Sequence, residues 1–224
     1  MNLINWIFIG LLLVDLLLIV ISLIKKINLM QKICSALFLP FTLMHVPLLL
    51  GEYLPDSFRV IFFSILALTF ISISFCIYVF WGNNFIPLIL FSIGNACWCE
   101  LFRSVFYIYR MPLWAITIII ALYIALAITS LIITGQKKKS EYFIIILSMT
   151  FASMLNFFGV FNLFCNPCAK SAILFSGSFL NLLFLVLSLI DSKKFKIKNG
   201  MLIRTIALSA SQFLISLSNL MLFL

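Results

Sequence analysis

The sequence predicts an all-α fold, a polytopic bundle of transmembrane helices with about eight spans and both termini outside. Of its 224 residues, 65% are hydrophobic and 9% are charged, whereas a soluble domain carries about 25% charged residues. Apolar stretches repeatedly reach the roughly 20 residues that a spanning helix needs. Basic residues concentrate in alternate breaks between these stretches. We therefore expect a single integral membrane domain over residues 1–224.

The first predicted span is retained rather than cleaved. Its apolar run has no charge before it, is longer than the hydrophobic part of a signal peptide, and is followed by Lys25 and Lys26. A cleavable signal instead begins with basic residues and ends at a site of small residues. The segment therefore predicts a transmembrane helix over residues 3–24 whose amino end lies outside.

Seven further spans follow, each bounded by turn-forming or basic residues. We place them at residues 33–51, 60–81, 85–107, 112–134, 142–164, 169–190 and 203–223. The breaks contain, in order, Lys25 to Lys32, Pro55-Asp56-Ser57, Gly82-Asn83-Asn84, Arg110-Met111-Pro112, Gly135 to Lys139, Asn166-Pro167, and Lys193 to Arg204. The second and fourth spans are the least strongly predicted, because they are interrupted by Pro40, Pro47, Glu100 and Arg103.

The basic residues give a test that does not depend on hydropathy. Eleven belong to the odd-numbered breaks, and four belong to the other side: Arg59, Arg103, Arg110 and Lys170. Lysine and arginine concentrate in cytoplasmic loops, so the odd-numbered breaks are predicted to be cytoplasmic.

The distribution of basic residues also argues against nucleic acid as a partner, despite the net charge of +9. A nucleic-acid binder presents its basic residues as a patch on a folded soluble face.

Polar residues inside the predicted spans are the first candidate site residues, because burying them in a bilayer is costly. Asp15, Asn156, Asn181 and Gln212 fall near the middles of the first, sixth, seventh and eighth spans. If these helices pack together, their polar groups share one layer, which suits a pocket for a lipid headgroup or a small solute. The alternative is that the amides simply hydrogen-bond neighbouring helices, for about 0.6 kcal/mol each.

Further ionisable candidates lie toward the ends of the second and fourth spans. Glu100 and Arg103 stand three residues apart on one helix face, where they either neutralise each other as an ion pair or line a pocket. His45 and Glu52 fall in the outer part of the second span. Because His45 is the only histidine, any mechanism that requires two histidines is excluded.

The cysteines predict neither a metal site nor a cofactor. Cys165 and Cys168 form a Cys-Asn-Pro-Cys sequence in an outward loop, a spacing found in redox pairs and in half of a metal site. No second pair or histidine cluster accompanies it, so we interpret it as a local disulfide or as two free thiols. The zinc-protease, P-loop, nucleophile-elbow and Rossmann patterns are missing from the sequence.

Four strings in the predicted spans share a likeness with one family. They are Lys32-Ile33-Cys34, the stretch from Tyr142 through Met149 to Ala152, the stretch from Ser171 to Leu183, and the stretch from Ser211 to Ser218. In these strings and in its eight-span plan, the chain resembles the YhhN-type lysoplasmalogenase family. The resemblance covers most of the chain. It implies a multi-pass protein of a bacterial inner membrane that hydrolyses the vinyl-ether bond of lysoplasmalogens.

The chain departs from that family at the family's ionisable positions. Phe179 stands where the family has an Asp in its seventh span, and Phe102 stands at the place of a fourth-span His. Ala67-Leu68 replace a Gly-Asp pair in the third span. Phenylalanine cannot transfer a proton. A fold retained without the activity is therefore weighed equally with a working enzyme.

Two hypotheses follow. In the first, a divergent YhhN-like hydrolase uses Glu100 or Asp15 as the catalytic acid, because burial favours a neutral carboxyl group. Its partner is a membrane lipid, with a lysophospholipid as substrate, and the substrate-binding candidates are Asn181, Gln212, Asn156, Arg103 and His45. In the second, the chain is a non-enzymatic small transporter or an accessory subunit of a membrane complex. The polar residues then pair with one another or with a partner.

Overall fold

The computed structural model describes residues 28–53, 58–82, 85–103, 112–134, 139–191 and 200–223. It also describes residues 10, 14, 15, 17–22 and 25 of the amino-terminal segment. Much of the first predicted span lies outside the described residues. So do the predicted breaks at 54–57, 83–84, 104–111, 135–138 and 192–199, and the side chains of residues 41–53, including His45 and Glu52.

The described part of the chain is helical throughout and contains no strand. Seven helices follow the amino-terminal segment: α1 (Asn28–Tyr53), α2 (Phe58–Trp81), α3 (Phe85–Arg103), α4 (Leu113–Thr134), α5 (Lys139–Cys165), α6 (Ala169–Asp191) and α7 (Gly200–Phe223). Six of them, α2 to α7, are long and apolar enough to cross a membrane. An α-helix satisfies its own backbone polar groups, as a bilayer requires. The predicted all-α membrane bundle is confirmed.

The seven helices correspond to the second to eighth predicted spans, and five of them start earlier or end later than the apolar runs. The described part of α3 ends at Arg103, short of residue 107, and α4 begins at Leu113 rather than residue 112. The largest difference is at α1, which begins at Asn28 and continues unbroken through Pro40 and Pro47, whereas the apolar run begins at residue 33. Its first turn contains polar residues such as Gln31. Hydropathy marks the apolar part of a helix, and the helix itself extends into the interfacial region beyond it.

Neighbouring helices alternate in direction. Met30 of α1 and Leu202 of α7 pack in one small cluster, so both helices start at the same end of the bundle. Arg59, near the start of α2, pairs with Glu100, near the end of α3. We call the end where α1, α3, α5 and α7 start the lysine end. The opposite end, where Arg59 and Glu100 lie, is the arginine end.

The core is formed by α2, α3, α5, α6 and α7. The α2–α3 and α6–α7 pairs pack along their lengths, α5 lies between α3 and α6, and α1 packs on α2 and α7. Helix α4 lies on the periphery of the bundle. In its apolar stretch 11% of the residues are buried, against 61% of those in α3.

Candidate functional site

Three charged side chains meet at the arginine end of α2 and α3. The Glu100 carboxylate accepts a hydrogen bond from Arg59 Nη2 at 2.7 Å and another from Arg103 Nη2 at 2.9 Å. Arg103 follows Glu100 by three residues on α3 and forms the predicted ion pair. Arg59, one residue into α2, is a partner that the sequence did not indicate. We call these three residues the arginine cluster; its formal charge is +1.

The arginine cluster keeps free binding capacity. The side chains of Arg59 and Arg103 are 54% and 67% exposed, so the rest of each guanidinium is accessible. A guanidinium carries five N–H donors in a planar fork, and this fork matches the oxygens of a phosphate group. An arginine pair with one carboxylate between its members can therefore bind an anion while remaining internally paired.

An apolar groove of about 320 Å³ lies between α2, α3 and α5. Its lining on α3 includes Ile89, Ile93 and Ala96. With Glu100 these residues have the spacing of one helix face, and Phe63 of α2 is one turn from Arg59. The groove therefore begins beneath the arginine cluster and runs toward the lysine end. Ile89 and Ile93 are each 39% exposed, so it opens onto the outer surface of the bundle.

The lining of this groove on α3, from Cys97 to Ile89, covers about 12 Å of the helix. With the further turn up to Glu100 the distance is about 17 Å, close to half of a hydrocarbon core at about 15 Å. The other walls are formed by Leu147 and Phe151 of α5. A phospholipid has an anionic phosphate and apolar chains. The cationic cluster can bind the phosphate, and the apolar groove beneath it can hold a chain.

The predicted amides Asn181 and Gln212 lie together in the centre of the bundle. Gln212 Nε2 donates to Asn181 Oδ1 at 2.9 Å, and Asn181 Nδ2 donates to Asn95 Oδ1 at 2.6 Å. Gln212 Oε1 accepts from Trp98 Nε1 at 2.9 Å. All four side chains are fully buried. We call this set the amide chain; it ties α3, α6 and α7 together, as the alternative for these amides predicted.

Asn156, the third predicted amide, belongs to a separate group. Its Oδ1 accepts from the Tyr123 hydroxyl of α4 at 2.7 Å, and its Nδ2 donates to Ser178 Oγ of α6 at 3.1 Å. The group fastens the peripheral helix α4 to α5 and α6. Beside it an apolar groove of about 550 Å³ runs between α4 and α5, lined by residues from Ile116 to Leu131 and from Ile146 to Phe157.

The two predicted acids do not meet. Glu100 lies at the arginine end, whereas Asp15 lies beside Cys34 of α1, in the half of the bundle nearer the lysine end. Asp15 is 4% exposed, and its Oδ2 has no hydrogen-bond partner. The two candidate acids therefore do not line one pocket. The side chain of His45, a further substrate-binding candidate, lies outside the described residues.

The Cys-Asn-Pro-Cys loop joins α5 to α6 at the arginine end, and its two cysteines are separate thiols. Cys168 directly precedes α6, and its sulphur lies 3.3 Å from Ser171 Oγ. Hydrogen bonds to Ser171 lower the pKa of the Cys168 thiol: the larger effect comes from the Ser171 hydroxyl and a smaller one from the Ser171 backbone N–H at the helix start.

In the part of the chain that the structure describes, no three His, Cys, Asp or Glu side chains lie close enough together to bind a metal ion.

Sequence reasoning missed Arg59, Asn95, Trp98 and Tyr123. Asn95 had a usable signal, since it is an amide in the middle of the predicted fourth span. Arg59 lay at a span edge and counted only toward sidedness. Trp98 and Tyr123 were interpreted as ordinary apolar or interfacial aromatic residues.

Comparisons with protein-family models, with curated proteins and with solved structures found no match to this chain.

Proposed function

We propose that the protein binds a membrane phospholipid at the arginine end of α2 and α3. The phosphate lies on the arginine cluster, and one acyl chain lies in the groove beneath it. The observation that supports this is the alignment of Glu100, Ala96, Ile93 and Ile89 along one face of α3, which joins the cationic surface directly to the apolar one. A lysophospholipid hydrolase needs such a site, and so would a small transporter whose solute is a lipid.

A lysophospholipid is the preferred ligand class. The groove is wide enough for one chain at about 320 Å³, near the lower limit of roughly 300 Å³ for small-molecule sites. The resemblance to the YhhN-type family points to the same class. A lysophospholipid has one acyl chain, which fills the groove, whereas a two-chain phospholipid would leave its second chain outside it.

Binding is tested by native mass spectrometry of the purified full-length chain with lysophosphatidylethanolamine. Ala96→Phe fills the groove and is expected to weaken binding at least tenfold. The matched control is Ala121→Phe, which puts the same ring on the exposed face of α4. Equal binding by the wild type and Ala96→Phe would contradict the site.

The phosphate contact has a separate test. Arg59→Gln with Arg103→Gln removes two cationic donors, and each charged hydrogen bond contributes about 1.5–3 kcal/mol. We expect at least a tenfold loss of affinity for the lysophospholipid, and a much smaller loss for a monoacylglycerol, which has no phosphate. Lys170→Gln removes a charge at the same end of the bundle without touching the groove, and it should leave binding unchanged. A loss that is equal for both ligands would show that the arginines do not bind the phosphate.

Hydrolysis of a vinyl ether is the second candidate function, and the position of Glu100 favours it. Glu100 lies between the arginines and the groove, where the bond between glycerol and chain falls if the phosphate lies on the arginine cluster. In this reaction a proton adds to the outer vinyl carbon and water adds to the carbon that bears the oxygen. The resulting hemiacetal separates into a fatty aldehyde and the glycerol hydroxyl. Glu100 is the candidate proton donor; to act, its carboxylate would have to leave Arg59 and Arg103 and take up a proton, and it would regain that proton from the attacking water.

This candidate is tested by aldehyde release from lysoplasmalogen. Glu100→Gln should reduce turnover at least a hundredfold, and Glu141→Gln, which changes a carboxyl at the lysine end, should not. Asp15→Asn tests the other predicted acid. If a chain that binds the lipid releases no aldehyde, the lipid site stands and the hydrolase hypothesis falls.

A further inference from the structure

The seam between the amino-terminal segment, α1 and α7 contains buried polar atoms that the lipid site does not use. Asp15 is 4% exposed; its carboxylate accepts a hydrogen bond from the Cys34 thiol, and its Oδ2 has no hydrogen-bond partner. The hydroxyls of Ser35 and Ser209, with residues 0% and 3% exposed, also have none. Burying an unpaired hydroxyl is unfavourable, and burying an unpaired carboxylate is far more so. A ligand at this seam would satisfy all three.

Packing places these three side chains on the same seam. Asp15 lies beside Cys34 of α1. Ser35 precedes Phe38 by three residues on one helix face, and Phe38 belongs to the same small cluster as Cys34. Cys34 shares a small cluster with Leu202 of α7, and Ser209 follows Leu202 by seven residues, two turns along the same helix face. The α7 face that carries Ser209 is therefore the face that packs against α1 and Asp15.

The three side chains lie at similar distances along the chain from the lysine end. Asp15 is ten residues before the turn at Lys25, Ser35 is seven residues after the first residue of α1, and Ser209 is nine residues after the first residue of α7. These positions differ by at most three residues, or about 5 Å along a helix axis.

The two serines differ from most other hydroxyls in the described helices. A serine or threonine in a membrane helix usually donates to a carbonyl three or four residues back, and many do so in this chain, including Ser22, Ser64, Thr69, Ser92, Ser130 and Thr205. Ser35 and Ser209 form no such bond, as is also true of Ser211 and Ser216 farther along α7. Their oxygens are therefore available as ligands.

We propose that Asp15, Ser35 and Ser209 bind a sodium ion at this seam. All three supply oxygen, the ligand that hard cations prefer. Among the described residues, neither ion pair involves Asp15, so a single positive ion balances its carboxylate. The titratable neighbour of Asp15 is the Cys34 thiol. The site is independent of the lipid groove, which lies between α2, α3 and α5 and is lined by none of these three residues.

Sodium binding is measured on the purified full-length chain in lipid nanodiscs. Thermal unfolding is followed in sodium chloride, potassium chloride and choline chloride at equal ionic strength. We expect the unfolding temperature to rise with the logarithm of the sodium concentration, by about 5–10 °C at a hundred times Kd. Radiolabelled sodium should bind with one ion per chain.

Asp15→Asn should abolish both the sodium-dependent rise and the bound label, and Glu141→Gln, the matched acid control, should keep them. Ser35→Ala and Ser209→Ala retain the carboxylate, and each should raise the half-saturating sodium concentration about tenfold, the effect of about 1.4 kcal/mol. These milder variants decide the question if Asp15→Asn does not fold. Equal unfolding temperatures in the three salts without bound label would overturn the proposal. So would a rise on acidification alone, which would indicate a protonated Asp15 instead.

Discussion

Asn181 is both donor and acceptor at the centre of the amide chain, so its replacement affects two neighbours at once. Gln212 Nε2 would lose its acceptor, and Asn95 Oδ1 would lose its donor. Both partners are fully buried. A buried polar atom left without a partner costs more than the average membrane hydrogen bond contributes. The amide chain is therefore a structural element whose loss is measurable as stability.

We expect Asn181→Leu to lower the free energy of unfolding by about 1–3 kcal/mol. Asn162→Leu is the matched control, because Asn162 donates only to the Phe158 carbonyl of its own helix, and it should cost about half as much or less. The measurement is reversible unfolding of both variants in mixed detergent micelles. Equal losses would show that the bonds between helices contribute nothing beyond burial.

Cys168 gives a prediction about pH. Because its thiol pKa lies below the ordinary value, the thiolate forms at lower pH, and alkylation by iodoacetamide should reach its half-maximal rate at lower pH than for a model thiol. Ser171→Ala removes the largest cause of the shift and should move that midpoint upward. Cys165→Ser leaves Cys168 as the only thiol in the loop and serves as the background. A midpoint that Ser171→Ala does not change would contradict the assignment.

The residue identities of the site were partly predictable, and their pairings were not. Asn181 and Gln212 were visible as amides in the middle of apolar spans, and Glu100 with Arg103 as an ion pair on one face. Which helix a side chain contacts depends on how its own helix is rotated about its axis. These spans are apolar on nearly every face, so hydropathy predicted how deep each residue lies in the membrane but not which neighbouring helix it faces.

At the scale of helices, the sequence predicted most boundaries closely and left the packing open. The predicted span 169–190 corresponds to α6 (Ala169–Asp191), and the span 60–81 corresponds to α2 (Phe58–Trp81). Polar breaks and glycines mark such ends. The close approach of α5 and α6 is decided by one small residue inside a helix, Gly159. Its importance is clear only when its neighbours across the interface are known.

A side chain at Gly159 would collide with α6. A Cβ there would lie 2.5 Å from Ser178 Oγ and 2.8 Å from Phe175 Cα, and the second atom is backbone that cannot turn away. Gly159→Ala should therefore lower the free energy of unfolding by about 1–3 kcal/mol, although alanine favours the helix by roughly 1 kcal/mol. Thermal unfolding in nanodiscs gives the measurement.

Gly10→Ala is the control for this change, since no atom lies within 4 Å of a Cβ at that position. Helix propensity alone then acts, and the variant should be unchanged or slightly more stable. If Gly159→Ala were equally neutral, helices α5 and α6 would be packing less closely than described. The bond from Asn156 to Ser178 would then also be in doubt.

For the whole molecule, the alternation of helix directions ties the sidedness of distant segments together. Helix α5 starts at the lysine end with Lys139, and α6 returns to that end at Asp191. The Cys-Asn-Pro-Cys loop between them lies at the arginine end, with Arg59 and Glu100. The positive-inside bias predicts that the lysine end is cytoplasmic, and this would place the arginine cluster at the outer side of the membrane.

Reporter fusions at three positions test this arrangement. Fusions after Lys139 and after Asp191 should give fluorescent GFP and inactive alkaline phosphatase, since both lie at the lysine end, and a fusion after Asn166 should give the reverse. Opposite results for Lys139 and Asp191 would be incompatible with α5 and α6 as an antiparallel pair. If all three results were inverted, the bundle would stand and its orientation would be wrong. The arginine cluster would then lie at the cytoplasmic side of the membrane, and its phospholipid would have to come from that side.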